Sequence, residues 1–155
     1  MQIRVANRQD EPLIRTIVFQ SLEECGLHPD LEGLDQDLRN VEQSYFWYDG
    51  LCVVAENEGQ IVGVLAARRS KENEDVLEMQ RLAVTPGLRR RGVAKALMNT
   101  LKFFAMNMEY KSVVISTPDR ETALDKSNAD AFKKLGFARE AEASAWTYQV
   151  AALKR

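Results

Sequence analysis

The chain has 155 residues, 45% of them apolar, and its 21 basic and 23 acidic side chains give a net charge of −2. This composition predicts one globular domain, residues 1–155, and argues against a nucleic-acid binder, which is expected to be strongly basic. Two cysteines and one histidine fit neither a disulfide framework nor a zinc site, and without a signal peptide or membrane-spanning run we expect a cytoplasmic, metal-free protein.

The first half of the chain alternates short strands with helices. Residues Ile3–Ala6 alternate as in a strand, and Asp10 is placed to cap a helix that Gly26 ends. A second short helix is predicted from about Asp35 to Tyr45. A β-hairpin follows, made of the strands Leu51–Glu56 and Gln60–Arg69 and the tight turn Asn57–Gly59.

The second half begins with a strand at Val76–Val84. From Gly92 to about Met108 apolar residues follow a helical period, and the β-branched run Ser112–Thr117 predicts a strand buried on both faces. A short helix at Asn128–Leu135 and one or two strands within Ala138–Leu153 complete the pattern. The order βα(α)βββαβαβ is typical of an α+β domain with a mixed sheet.

The most informative stretch is LEMQRLAVTPGLRRRGVAKAL, residues 77–97. A strand, a proline turn, three arginines and a glycine lead into a helix, whose first N–H groups lack intrahelical partners and therefore attract phosphate. Gly92 leaves the backbone open to a pyrophosphate, and Ala94 keeps the next turn small. The positive charge comes from Arg89, Arg90, Arg91 and Lys95. The spacing is not that of a Walker loop. The alternative is that the three arginines only cap a helix and are otherwise solvated.

This stretch resembles the GNAT acyltransferase superfamily, whose signature [Q/R]-x-x-G-x-[G/A] is matched by Arg89, Gly92 and Ala94. The segment AFKKLGF, residues 131–137, is similar to the helix end F-Y-x-x-L-G-F of that family. The resemblance implies a mixed, mostly antiparallel sheet of six to seven strands, flanked by about four helices, with a splay between strands 4 and 5. It also implies acetyl-CoA as co-substrate, a small-molecule or peptide amine as acceptor, and a monomer or homodimer that binds neither nucleic acid nor membrane.

The resemblance further assigns roles to single residues. The pantetheine arm pairs with the backbone of strand 4 at Leu82, Ala83 and Val84, and one of these N–H groups stabilises the oxyanion of the intermediate. Glu78 takes the position of the general base, and strand alternation predicts that Glu78, Gln80 and Leu82 share one face. The alternative for Glu78 is a surface carboxylate paired with Arg81 or a neighbouring lysine. The residues expected to contact the donor are Leu82, Ala83, Val84, Arg89, Arg90, Arg91, Gly92, Val93, Ala94, Lys95, Asn128 and Phe132.

The sequence departs from the family at the position of its proton-donating tyrosine, where Phe132 stands. Either the CoA thiolate leaves unaided, because thiols have a pKa near 8.5, or another group gives the proton. The candidates for that group are Tyr110, Tyr148 and Ser127. Asn128 resembles the family asparagine that bonds the pantetheine arm, but a helix N-cap explains it equally well.

Two other functions compete with acetyl transfer. A non-catalytic CoA-binding sensor is supported by Phe132 and opposed by Glu78. An RNA- or DNA-binding module built on the three arginines conflicts with the acidic balance. Two further surfaces could belong to the acceptor site. The seven acids within residues 23–42 form either a solvated face or a lip that attracts cationic amines. Trp146 and Tyr148 are candidates for a wall of the acceptor site.

Overall fold

The structure is a computed structural model that describes residues 1–89, 91–116, 130, 132–139 and 145–151. The strands of this part of the chain form one six-stranded sheet in chain order, antiparallel throughout except for the parallel pair β4–β5. The strands are β1 (Gln2–Val5), β2 (Leu51–Asn57), β3 (Gln60–Arg69), β4 (Val76–Val84), β5 (Ser112–Ser116) and β6 (Ala145–Gln149). The predicted mixed sheet is therefore confirmed.

Three α-helices are described in full: α1 (Glu11–Glu24), α2 (Val41–Tyr45) and α3 (Val93–Asn107). Single 3-10 turns lie at Arg8–Asp10, Gln36–Arg39, Phe46–Tyr48 and Pro86–Leu88. Residues 130 and 132–134 are helical as well, and the rest of the helix predicted at 128–135 lies largely outside the described residues. No helix in the described part of the chain is long and apolar enough to cross a membrane.

The helices cover both faces of the sheet, and each face has its own core. Residues of α3 such as Leu97 and Leu101 pack with Leu65 and Met79 on one face. Residues of α1 and α2 pack on the opposite face, which includes Ile14, Val18, Tyr45, Val64 and Ala83. The sheet therefore has an α3 face and an α1–α2 face.

Two local predictions about helices are wrong. The helix expected over residues 35–45 is interrupted at Asn40, whose extended backbone (φ −151°, ψ 95°) separates a 3-10 turn from α2. The Asn40 side chain accepts a hydrogen bond from the Gln43 N–H, so it caps α2, as asparagine favours. Asp10 does not cap α1, because its carboxylate accepts hydrogen bonds from Arg4 and from the Asn7 N–H instead.

Strand β4 contains a bulge that changes which face its side chains occupy. Arg81 is opposite Ala66 and Met79 is opposite Ala67, so Gln80 is an extra residue with no partner on β3. As a result Met79 packs on the α3 face, whereas Ala83, four residues later, packs on the α1–α2 face. The predicted common face of Glu78, Gln80 and Leu82 is therefore wrong. Leu82 packs against the α3 core, while alternation with Met79 directs Glu78 to the other side.

Candidate functional site

Strand β4 loses its parallel partner halfway along its length. Pairing with β5 runs from Val76 opposite Ser112 to Met79 opposite Ile115. Within the described residues, β4 continues from Gln80 to Val84 beside β3 alone. This divergence matches the predicted splay between strands 4 and 5, and among the described residues it leaves one edge of β4 without a partner.

Hydrogen bonds show which backbone groups face the open edge. The Thr85 N–H donates to the Val62 carbonyl of β3 at 2.8 Å. Because backbone groups alternate in direction along a strand, those of Ala83 also point to β3, while those of Leu82 and Val84 point away from it. The Val84 carbonyl accordingly accepts from Arg89 Nε at 3.1 Å rather than from a β3 residue. Of the three residues predicted to pair with the donor, only Leu82 and Val84 offer backbone groups at this edge, and Ala83 does not.

Helix α3 begins close in sequence to this open edge. Its N-cap, Gly92, has a left-handed backbone (φ 83°), and the Ala96 N–H makes the first bond of the helix, to the Gly92 carbonyl. The N–H groups of Val93, Ala94 and Lys95 therefore have no carbonyl within the helix. A Cβ placed on Gly92 would meet no described atom within 4 Å beyond its chain neighbours, so the described residues leave the backbone of this turn accessible at Gly92.

The two described residues of the predicted arginine cluster, Arg89 and Arg91, lie in different surroundings. Arg89 lies against α1, where its guanidinium forms an ion pair with Glu24 and approaches Ser21 Oγ at 3.5 Å. Arg91 is exposed, and Arg90 lies outside the described residues. A phosphate contact by the Arg89 side chain requires it to leave Glu24, and this contact stays a prediction.

Glu78 is half-buried on the α1–α2 face of β4, opposite Arg68 of β3. Its carboxylate accepts a hydrogen bond from Gln80 Nε2 at 3.2 Å. The alternative in which Glu78 pairs with Arg81 is wrong, because Arg81 binds other carboxylates. Glu78 thus lies two residues from the splay, where a carboxylate is able to accept a proton.

The carboxylates that bind Arg81 form a buried cluster that the sequence analysis missed. The Arg81 cluster consists of Arg81, Asp35, Asp37 and Tyr45. Arg81 Nη2 lies 2.9 Å from Asp35 Oδ1 and 2.7 Å from Asp37 Oδ1, and Nε donates to Asp37 Oδ2 at 3.1 Å. The Tyr45 hydroxyl donates to the same Asp37 carboxylate. The only signal in the sequence is an arginine inside an otherwise apolar strand end.

Electrostatics keep this cluster charged. Burial alone would lower the pKa of Arg81, but its hydrogen bonds to Asp37 and the charges of Asp37 and Asp35 outweigh burial and raise it. Burial, reinforced by the Asp37 carboxylate, raises the pKa of Tyr45 well above its ordinary value. Tyr45 therefore remains a neutral hydrogen-bond donor, and Arg81 remains a cation.

Neither described tyrosine candidate for proton donation faces the splay. Tyr110 precedes β5 and donates to the Asp49 carbonyl at 2.8 Å, and burial raises its pKa. Tyr148 is opposite Val113, where β4 and β5 are still paired, and the Lys102 ammonium lies 4.5 Å from its ring centroid. The third candidate, residue 127, lies outside the described residues.

The aromatic residues near the end of the chain belong to the core. Phe132 is buried with its ring edge against Trp146, at 5.8 Å between centroids, and Phe137 packs beside it. Trp146 is 2% exposed, so it is not the wall of the acceptor site that alternation suggested. Asn128, the other residue predicted to contact the donor near this helix, lies outside the described residues.

Four of the seven acids within residues 23–42 form ion pairs with arginines. Glu24 pairs with Arg89, Glu32 with Arg39, and the two aspartates of the Arg81 cluster with Arg81. Of the two interpretations, this arrangement favours a structural and solvated face over a lip that attracts cations.

Comparison with known proteins agrees with this geometry. The sequence model described as "Acetyltransferase (GNAT) family" matches residues 17–137. The chain is 33% identical over 130 residues to the N-acetylaspartate synthetase of Danio rerio, covering 84% of this chain and 42% of that protein. It is 37% identical over 94 residues to N-acetyltransferase 8 of Mus musculus, covering 59% of this chain and 39% of that protein. The chain therefore spans less than half the length of these curated relatives.

Solved structures share the fold at much lower identity. A GNAT-family acetyltransferase from Staphylococcus aureus Mu50 superimposes with a TM-score of 0.78 at 18% identity, covering 97% of this chain and 99% of that one. A GNAT-family acetyltransferase from Brucella melitensis, solved in complex with acetyl-CoA, gives 0.72 at 17% identity, covering 99% and 90%. These likenesses concern the arrangement of helices and strands.

Proposed function

This chain belongs to the acetyltransferase (GNAT) family, and on that premise we propose that it transfers an acetyl group from acetyl-CoA to an amine in a ternary complex. The observation that supports this most directly is the open edge of β4, which lies next to the N-terminus of α3 in the chain. An extended amide-containing arm fits such an edge, and a pyrophosphate fits such a helix terminus.

The donor is bound mainly by backbone groups. The pantetheine arm adds to β4 like a short strand, using the N–H and C=O groups of Leu82 and Val84. The pyrophosphate takes hydrogen bonds from the N–H groups between Arg91 and Lys95, where Gly92 has no Cβ to obstruct it. Arg90, Arg91 and Lys95 supply positive charge around the phosphates.

Acetyl transfer then proceeds by direct attack. The acceptor arrives as an ammonium ion, and Glu78 accepts one proton from it, directly or through a water molecule. The free amine attacks the thioester carbon and forms the new C–N bond, while the Leu82 N–H is placed to stabilise the oxyanion. The nitrogen of the intermediate loses its extra proton to water, and collapse of the intermediate then breaks the C–S bond and expels the CoA thiolate.

The leaving thiolate needs no protein acid in this mechanism. Phe132 has no proton to donate, and neither of the two described tyrosine candidates faces the splay. A thiol pKa near 8.5 makes the thiolate a tolerable leaving group that is protonated afterwards by solvent. Phe132 is therefore compatible with catalysis and does not by itself favour a sensor without activity.

We propose that the acceptor is a small-molecule or peptide amine. Relatives named N-acetylaspartate synthetase make aspartate the first compound to assay, beside other amino acids, polyamines and peptides with a free N-terminus. Cytoplasmic location stays a prediction from the sequence.

The test is release of CoA thiol from acetyl-CoA across this panel of amines, together with calorimetric titration of CoA. An enzyme gives amine-dependent thiol release and an acetylated product of the expected mass. CoA binding without thiol release for any amine would instead support the sensor, and absence of CoA binding would overturn both.

A further inference from the structure

The Arg81 cluster has no role in the proposed acetyl transfer, although Arg81 belongs to β4, the strand that carries Glu78 and Leu82. We propose that Arg81 is a positioning residue: by binding the segment before α2, it holds the bulge at Gln80 and so directs the Glu78 carboxylate and the Leu82 N–H. This inference rests on the proposed function, since it assigns those two groups to the reaction.

The position of Arg81 on β4 supports this role. Within the described residues, three changes coincide next to it: pairing with β5 ends at Met79, the bulge adds Gln80, and the side chains exchange faces. Bulges commonly redirect side chains beside active sites, and a strand that has lost one neighbour has fewer hydrogen bonds to hold it. The contacts of the Arg81 side chain therefore hold β4 where its backbone has the fewest interstrand hydrogen bonds among the described residues.

The geometry of the contacts matches an anchor rather than a simple charge pair. The planar guanidinium binds both oxygens of Asp37, one oxygen of Asp35 and, at 3.3 Å, the Leu34 carbonyl. These partners belong to one segment, residues 34–37, and the Tyr45 hydroxyl fixes Asp37 from the other side. The fork of donors sets distance and orientation together, which the single ammonium of a lysine does not do.

A buried ion pair is a poor way to gain stability alone. The side chains of Arg81, Asp35 and Asp37 are 9%, 0% and 14% exposed, so three charges have lost most of their hydration. Well-packed apolar residues of similar volume are often as stabilising as such a group. What the cluster supplies in addition is a fixed geometry between β4 and residues 34–37.

The chain contains a matched control for this idea. On β1, Arg4 also binds both oxygens of one aspartate, Asp10, and one oxygen of a second acid, Glu56. This group lies at the β1 edge of the sheet, three strands away from β4. Replacing Arg4 by lysine disturbs a similar network without touching the bulge.

The experiment compares Arg81→Lys with Arg4→Lys and with the wild-type protein. We expect Arg81→Lys to lower kcat for acetyl transfer by about ten- to a hundredfold, because small misplacements at a reacting centre have effects of that size. CoA affinity should fall much less than kcat, because the N–H groups at the start of α3 that bind the pyrophosphate are unaffected and only the pairing of the pantetheine arm with β4 is loosened. Arg4→Lys should lower the melting temperature and leave kcat and KM unchanged.

Hydrogen exchange provides a readout that does not depend on turnover. Arg81→Lys should accelerate amide exchange in residues 34–39 and 80–84 and leave residues 2–6 unchanged, while Arg4→Lys should show the reverse. If Arg81→Lys fails to fold, Tyr45→Phe, which removes only the hydroxyl bound to Asp37, is measured in the same way with a smaller expected loss of kcat.

Equal kinetic effects of the two lysine variants, or unchanged exchange at residues 80–84, would overturn the positioning role. Wild-type protein that acetylates no amine would contradict the proposed function, and the exchange comparison would still decide whether Arg81 holds the bulge.

Discussion

Arg89 and Glu24 form a two-point ion pair that ties the turn after β4 to the last residue of α1. Arg89 also donates to the Val84 carbonyl at 3.1 Å, at the edge where β4 is open. The side chain that the sequence motif assigns to a phosphate is thus held by a carboxylate in this structure. If Arg89 contacts a donor phosphate as the motif predicts, donor binding and this ion pair compete for one guanidinium.

If this competition occurs, CoA affinity should depend on Glu24. Replacing Glu24 by glutamine frees Arg89 and should tighten CoA binding by about two- to fivefold, the range expected for a partly exposed ion pair. Arg89→Ala should act in the opposite direction and weaken CoA binding by roughly one to two decades, because a charge-assisted hydrogen bond is lost. Calorimetric titration at low salt measures both.

Glu32→Gln is the matched control, since Glu32 pairs with Arg39 on the exposed surface. It should leave CoA affinity unchanged. Weaker binding by Glu24→Gln would show that the ion pair supports the donor site, and normal binding by Arg89→Ala would remove Arg89 from that site.

Gly92 allows a test of the anion site at the start of α3. Gly92→Val places a branched side chain on a residue with φ of 83° and in the space proposed for the pyrophosphate, so CoA binding should be lost while the fold is retained. Calorimetry and circular dichroism together measure the two effects. Gly87→Ala is the control, because a Cβ there also meets open space but has no positive φ to oppose it. Undiminished CoA affinity in Gly92→Val would refute the site.

Glu78→Gln separates a base from a structural carboxylate. Glutamine keeps the shape and the hydrogen bond with Gln80 but accepts no proton, so kcat should fall by roughly two to four decades with CoA affinity unchanged. The defect should shrink at high pH, where more of the acceptor is already a free amine. A structural role predicts a lower melting temperature, a modest loss of activity and no recovery at high pH. A fully active variant would show that another group removes the proton.

The protonation of Asp10 should make the stability of the fold depend on pH. The hydrogen bonds from Arg4 have the largest effect on Asp10, and together with the bond from the Asn7 N–H they hold its pKa below the ordinary value despite burial. A depressed folded-state pKa contributes stability above the unfolded-state pKa, and this contribution is lost as the pH falls through the folded-state pKa. Asp10→Asn should therefore lower the melting temperature clearly at pH 7, and the difference from wild type should shrink progressively as the pH falls below the unfolded-state pKa of about 3.9.

Thermal denaturation of both proteins at several pH values tests this. Asp75→Asn is the control, because Asp75 forms an exposed pair with Lys111 and should change the melting temperature little at any pH. A difference between wild type and Asp10→Asn that does not change with pH would contradict the assignment.

Local patterns determined much of the fold. Strand β4 has the bounds that the sequence predicts, and the link between β2 and β3 closes with Glu58 and Gly59 both at positive φ, as a tight hairpin requires. The start of α3 after Gly92 was predictable from the sequence, because a glycine that precedes an apolar helical period can adopt the left-handed backbone observed at this N-cap. These features depend on neighbours in the chain, so a single sequence is enough to predict them.

Pairing between distant segments decided the rest. The bulge at Gln80 arises from the pairing register between β4 and β3. It places Leu82 and Glu78 on opposite faces of the sheet, whereas simple alternation assigns them to one face. Arg81 finds Asp37, forty-four residues earlier in the chain, only because the bulge turns it toward the α1–α2 face. The sequence therefore determined which residues are chemically able to bind acetyl-CoA and to move a proton. The tertiary structure decided their direction, because a one-residue change in strand register reverses every side chain beyond it.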